Sequence, residues 1–178
     1  MLNKEQIRQY IRQKKKNFPE AERLSQSASI WQQIEQMDIF RQTGVILMYW
    51  STPDEVFTHE FIRRWYRKKH ILLPAIENEN LTLKSFHPDT LKKHPTLNLY
   101  EPQGEACPDR KNIRLAIVPG IAFDRERHRT GRGKGYYDRL LPALQVCKIG
   151  VGFDFQLLDA IPTEPHDVRM DKIVFPSV

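Results

Sequence analysis

The chain has 178 residues, 40% hydrophobic and 28% charged, enough apolar material for one compact core and too much for intrinsic disorder. Its longest apolar run, Val45 to Trp50, is strand-sized, short of the roughly 18 residues that span a bilayer, and its opening residues lack a signal peptide's apolar stretch, so a soluble cytoplasmic domain without a membrane partner is expected. Two cysteines, Cys107 and Cys147, exclude a disulfide framework or a four-cysteine zinc site, and a net charge of +6 favours an anionic partner without naming it.

Residues 3 to 16 read as a helix with Ile7, Tyr10 and Ile11 on one side and basic residues elsewhere. A second helix is predicted from Glu20 to Met37, its apolar face formed by Leu24, Ala28, Trp31 and Ile34. A buried strand follows at Val45 to Trp50. Thr52-Pro53-Asp54-Glu55 then has the form of a helix start, with a capping Thr52, a proline at the first turn and Glu55 completing a capping box. The helix beyond it would carry Phe57, Phe61 and Trp65 on one face. Strands are expected at His70 to Pro74 and Leu81 to Phe86. The segment from His87 to Arg110, with four prolines, reads as mostly loop.

Leu115 to Val118 is a short buried strand, residues 124 to 135 a charged glycine-punctuated loop, and Pro142 must kink or end a helix that starts near Tyr136. Lys148 to Phe153 and Lys172 to Phe175 are the last strands. Short apolar strands alternating with amphipathic helices argue for a single α/β domain over residues 1–178. Its sheet would be largely parallel, flanked by helices on both faces.

Three of only eight glycines, Gly131, Gly133 and Gly135, fall in Arg129-Thr130-Gly131-Arg132-Gly133-Lys134-Gly135-Tyr136-Tyr137-Asp138. Alternating glycines let successive N–H groups point into one concavity, which suits an anion. A helix start just beyond would add the positive end of its dipole, and Arg129, Arg132 and Lys134 supply full charges. This is not a Walker A loop, because Gly135 follows Lys134 where Ser or Thr is required. Basic residues dominate Lys4 to Lys16, Arg63 to Lys69 and Arg125 to Arg139, whereas Asp154 to Asp171 carries five carboxylates against one arginine. That contrast favours a site handling phosphate with a metal. The alternative is a basic nucleic-acid-binding module without ATP turnover, which would more naturally be basic throughout.

Val118-Pro119-Gly120-Ile121-Ala122-Phe123-Asp124, running into the glycine loop and Tyr136-Tyr137-Asp138-Arg139, resembles the signature of the 5-formyltetrahydrofolate cyclo-ligase family. The likeness takes in Lys4 and Arg8, Asp54-Glu55, Gly150-Val151-Gly152-Phe153, Pro162 to Asp167 and Met170-Asp171. Arg127 stands where the family usually has glycine and Thr130 where it usually has leucine. The resemblance implies an ATP- and magnesium-dependent closure of 5-formyltetrahydrofolate, with or without a polyglutamate tail, to 5,10-methenyltetrahydrofolate, by a monomer that binds no nucleic acid.

Transferred residue by residue, it implies that Lys134 and Arg132 stabilise the moving phosphoryl and that Arg129 meets the nucleotide phosphates. Gly131, Gly133, Gly135, Tyr136 and Tyr137 would form the nucleotide loop, with Lys4 and Arg8 reaching in from the first helix. Asp138 and Asp171 would hold magnesium. Glu55, Trp50 and Tyr136 would contact the pterin. Taken alone, Lys4 and Arg8 read as a solvated helix face, Trp50 as core, and each aspartate as surface charge.

Overall fold

The computed structural model describes residues 2–107 and 110–177. Helix α1, Lys4–Lys16, starts at a reciprocal cap in which the Gln6 N–H donates to Asn3 Oδ1 and the Asn3 N–H donates to Gln6 Oε1, both at 2.9 Å. Such pairing satisfies two otherwise unpaired donors of the first turn. Helix α2, Glu20–Gln36, and the short α3, Asp38–Gln42, lead to strand β1, Val45–Leu47. Then come α4, His59–Trp65, and strands β2, His70–Glu77, and β3, Asn80–Ser85. A hairpin joins β4, Leu91–Lys93, to β5, Tyr100–Pro102. The chain continues through β6, Ile113–Pro119, β7, Ala122–Asp124, and β8, Arg129–Thr130. It ends with α5, Tyr136–Leu140, β9, Cys147–Val151, β10, Leu157–Leu158, and β11, Lys172–Val174.

Six strands form one sheet in the order β11-β9-β6-β1-β2-β3, parallel except for the β2–β3 edge pair. Alternation along the strands divides their side chains between two faces. Ile46, Ile71, Leu73, Leu115, Ile117 and Ile149 pack under α2, α3 and α4, whereas Leu47, Leu72, Ala116 and Val118 pack against Leu140, Leu141 and Leu144 beyond the glycine loop. The expected α/β sandwich with helices on both faces is the architecture found.

Four local expectations are corrected. Strand β1 ends at Leu47, although the Met48 N–H still donates to the Leu72 carbonyl at 2.9 Å. No helix starts at Thr52. Glu55 Oε2 does accept from the Thr52 N–H at 2.9 Å, but the segment is closed off by reciprocal bonds between Ser51 and Thr58, at 3.0 and 3.1 Å. Helix α4 therefore begins at His59 and leaves Phe57 outside it. The proline-rich middle holds the β4–β5 hairpin, in which buried Glu101 accepts from the Ile76 N–H at 2.6 Å. Part of the charged loop is itself a hairpin, β7–β8, closed where Asp124 accepts from the His128 N–H at 2.9 Å.

The β7–β8 hairpin contains the two positions, 127 and 130, at which the resemblance noted above would expect other residues. Arg127 adopts φ 70°, in the left-handed region that glycine enters freely. Thr130 is buried, and its hydroxyl has no hydrogen-bond partner among the described residues. A stranded hydroxyl forfeits its hydration without compensation. Thr130→Val, of the same shape but apolar, should therefore raise the unfolding free energy by about 1 kcal/mol. Urea denaturation measures this, and a destabilised variant would contradict it.

Candidate active site

The glycines after β8 lie against arginine side chains, a Cβ added at Gly131, Gly133 or Gly135 meeting Arg129, Arg8 or Arg139. Phe123 of β7 lies against Gly150 of β9, where an added Cβ would collide with its ring, so these motif residues seat the hairpin on the sheet. Gly133 and Gly135 adopt φ values of 100° and 66° and turn the chain into α5. That helix is only five residues long, so the expected dipole contribution is small and side-chain charge dominates.

Two elements grip the glycine loop from outside. Arg8 of α1 donates from Nε to the Gly131 carbonyl at 2.9 Å. Arg132 reaches the turn after β1, where its Nη2 lies 2.9 Å from Thr52 Oγ1, 3.0 Å from Asp54 Oδ1 and 2.9 Å from Glu55 Oε1. Lys134 is exposed and makes no ion pair among the described residues. Tyr136 is half-buried beneath the Arg139 guanidinium, 5.4 Å from its ring.

Between α1 and the loop lies a cleft of about 390 Å³ lined by Arg8, Arg12, Lys15, Lys16, Arg132 and Asp54. Five cations facing one carboxylate suit a ligand with several negative charges. The positive charge is gathered in a concavity, unlike the open stripe that a nucleic-acid module would present.

Arg129 behaves differently from expectation. Its side chain is 4% exposed, pairs with Asp138 Oδ1 at 3.0 Å, donates to the Pro119 carbonyl at 3.3 Å and lies over the Tyr137 ring at 5.6 Å. It does not line the cleft. Its guanidinium lies beneath the loop, and its Nε is buried without a hydrogen-bond partner among the described residues. Burial pushes the Tyr137 hydroxyl well above its ordinary pKa, with Glu55 adding to the shift, so it stays protonated.

Lys4 is likewise occupied, with Nζ 2.6 Å from Asp167 and 2.5 Å from Glu164. This gives Asp167 a partner that no sequence motif indicated. Glu164, His166 and Asp167 gather their ligand atoms within 4.8 Å, but the Lys4 ammonium already fills the carboxylate side of that cluster.

Asp138 Oδ1 accepts from Arg129 and from the Val168 N–H, and Asp171 Oδ2 accepts from the Lys148 ammonium and backbone N–H. Each aspartate therefore keeps one oxygen without a hydrogen-bond partner among the described residues, which fits a hard cation. They share no such partner with each other. Trp50 is half-buried and stacked on His59 at 3.8 Å, with Phe86 at 5.5 Å and the Arg63 guanidinium at 5.3 Å. Its ring is thus largely occupied by side chains.

The Lys4–Asp167 pair has a defined pH window. Burial alone would raise the Asp167 carboxyl, but bonds from Lys4 and the Glu164 N–H outweigh it and lower the pKa. Burial likewise works against charged Lys4, yet Asp167 and Glu164 raise its pKa overall. A depressed carboxyl contributes above its unfolded value and loses that contribution in acid; a raised amine loses its own in alkali. A double-mutant cycle of Lys4→Met and Asp167→Asn should show roughly 1 kcal/mol of coupling at neutral pH. The coupling should be lost in acid, as the pH falls through the lowered Asp167 pKa, below the ordinary carboxylate range. A coupling unchanged in acid would contradict the assignment.

A family model described as the 5-formyltetrahydrofolate cyclo-ligase family matches residues 1–176. The chain is 27% identical to the 5-formyltetrahydrofolate cyclo-ligase of Haemophilus influenzae over 180 residues, covering 96% of each. It is 30% identical to that of Escherichia coli over 141 residues, 74% of this chain and 78% of the relative. The solved 5,10-methenyltetrahydrofolate synthetase of Aquifex aeolicus superposes with a TM-score of 0.85 at 29% identity, over 96% of this chain and 88% of that one. With motif, fold and full-length similarity in agreement, the chain belongs to the 5-formyltetrahydrofolate cyclo-ligase family of ligases.

Proposed function

We propose that the chain closes 5-formyltetrahydrofolate to 5,10-methenyltetrahydrofolate at the expense of ATP, releasing ADP and phosphate. The observation that carries this reading is the meeting, at the Arg132 guanidinium, of the glycine loop and the Asp54-Glu55 turn. A group matched to phosphate chemistry and a carboxylate matched to folate binding lie within one hydrogen bond of each other.

The chemistry explains why charge and alignment suffice. The formyl group on N5 is amide-like, and its oxygen leaves poorly. Attack of that oxygen on the γ-phosphorus forms an O–P bond, breaks the bond to the β-phosphate and releases ADP. The formyl carbon becomes electrophilic. N10 of the same molecule then bonds to it, the C–O bond breaks to expel phosphate, and the N10 proton passes to solvent. No electron transfer is involved, and intramolecular attack gives a large effective molarity.

In this scheme Lys134 and Arg132 neutralise charge on the moving phosphoryl. Arg8, which also holds the Gly131 carbonyl, and Arg12, one turn further along α1, bind the remaining phosphates. Glu55 accepts hydrogen bonds from the pterin, and Tyr136 borders it. Asp138 and Asp171 would hold magnesium through the oxygens that have no hydrogen-bond partner among the described residues, and the ion would add positive charge beside the phosphates. Arg129 fixes Asp138, and Asp167 fixes Lys4 at the start of α1.

The test mixes the protein with ATP, magnesium and 5-formyltetrahydrofolate and follows the methenyl chromophore. Product should appear only when nucleotide is present; folded protein without product would refute the proposal. Lys134→Ala should lower kcat about 100-fold while changing the folate KM by less than about threefold, since its charge matters most as the phosphoryl moves. Unaltered kcat would remove Lys134 from the mechanism.

A further inference from the structure

The turn after β1 contains a second carboxylate beside the one matched to folate. All the bonding capacity that Asp54 uses is directed at holding other side chains. Its Oδ1 accepts from Thr52 Oγ1 at 2.7 Å and from Arg132 Nη2 at 3.0 Å, and its Oδ2 accepts from Lys15 Nζ at 3.1 Å. The lysine is unusual. Its side chain is only 8% exposed, although lysines on a helix surface normally keep their ammonium in water. Burying that charge is unfavourable unless it is paired, and Asp54 is the one carboxylate paired with it among the described residues.

Arg132 is the opposite case. Its side chain is 52% exposed, and it sits on a backbone of alternating glycines, the most permissive kind. Three acceptors converge on its Nη2, whereas Nη1 has no partner among the described residues and remains open for an incoming anion. Burial alone would raise the Asp54 carboxyl, but Lys15 and Arg132 outweigh it and hold it well below the usual carboxylate range, so it is anionic at neutral pH.

We infer that Asp54, anchored by Lys15 of α1, is a positioning residue that aims the Arg132 guanidinium at the transferring phosphoryl. The inference rests on the function proposed above and adds two residues, Asp54 and Lys15, to which that function gave no role. It also gives the two adjacent acids of the turn separate roles. Glu55 would be drawn toward substrate, and Asp54 keeps Arg132 in place when that happens. The arginine would then reach the phosphoryl already oriented, without a loss of rotamer freedom at the moment of reaction.

The experiment compares steady-state kinetics of the wild type with Asp54→Asn, Asp54→Glu, Lys15→Met and the Asp54→Asn/Lys15→Met double variant, each first shown by thermal unfolding to be folded at the assay temperature. Asp54→Asn should lower kcat about tenfold with the folate KM changed less than about twofold, because the group acts through Arg132 and does not touch folate. Asp54→Glu should recover part of that loss, which a purely structural role would not produce. Lys15→Met should lower kcat to a lesser extent, and the double variant should be no slower than Asp54→Asn alone, since both act through one guanidinium.

A folded Asp54→Asn with wild-type kcat, a loss expressed mainly in folate KM, or fully additive losses in the double variant would each overturn the inference while leaving the proposed function standing. A wild type without turnover would overturn both.

Discussion

The Arg132 guanidinium, held between Thr52, Asp54 and Glu55, is the contact on which the rest of the site depends. It joins residues that are 77 to 80 positions apart in the chain. The sheet makes the meeting possible: β1 and β6 are parallel neighbours, so the turn leaving β1 and the hairpin leaving β6 emerge at the same edge. Ligands of open α/β sheets bind at the carboxyl ends of strands for the same topological reason. Helix α1 completes the enclosure, its Ile7 and Ile11 packed against Ala122 and Ile161.

Once these three elements meet, the charges arrange themselves into two sets. One set is closed by partners of opposite sign: Arg129 with Asp138, Lys4 with Asp167 and Glu164, Lys15 with Asp54. The other has no ion-pair partner among the described residues and comprises the exposed Lys134 and Arg12 together with Nη1 of Arg132, the groups that the proposed function turns toward phosphate. Paired charges give the loop its position at modest net energy, because the desolvation of each partner offsets much of the attraction. The unpaired ones keep a field that pairing has not cancelled, Arg12 and Arg132 lining the cleft and Lys134 standing on the loop outside its lining. This division explains a basic loop that is at once well anchored and open to a multiply charged ligand.

Much of the fold is legible in the sequence because it depends on local periodicity. Ile7 and Ile11 of α1, the start of the strand at Val45 and the stop at Pro142 behave as their patterns require, whereas Tyr10, Leu24 and Ala28, expected on apolar faces, are exposed. The glycine loop and its surrounding motifs were equally visible. What the sequence does not disclose depends on contacts between distant residues. The Thr52–Glu55 bond has the form expected of a capping box, yet Ser51 and Thr58 close the segment before a helix can form. The β4–β5 hairpin rests on buried Glu101 receiving the Ile76 N–H, a pairing invisible in either segment alone. Arg129 is indistinguishable from its neighbours in sequence; only the placement of Asp138 and Tyr137 shows that its charge is already paired. Lys15 and Asp54 could have been suspected only from a lysine too close to the apolar face of α1 to be solvated.

The most direct measurement is a crystal structure of the protein with a non-hydrolysable ATP analogue. The triphosphate should lie between α1 and the glycine loop, contacted by Arg8, Arg132 and Lys134, with Arg129 still paired to Asp138. A nucleotide bound elsewhere, with that cleft empty and Arg132 in its present contacts, would contradict the account.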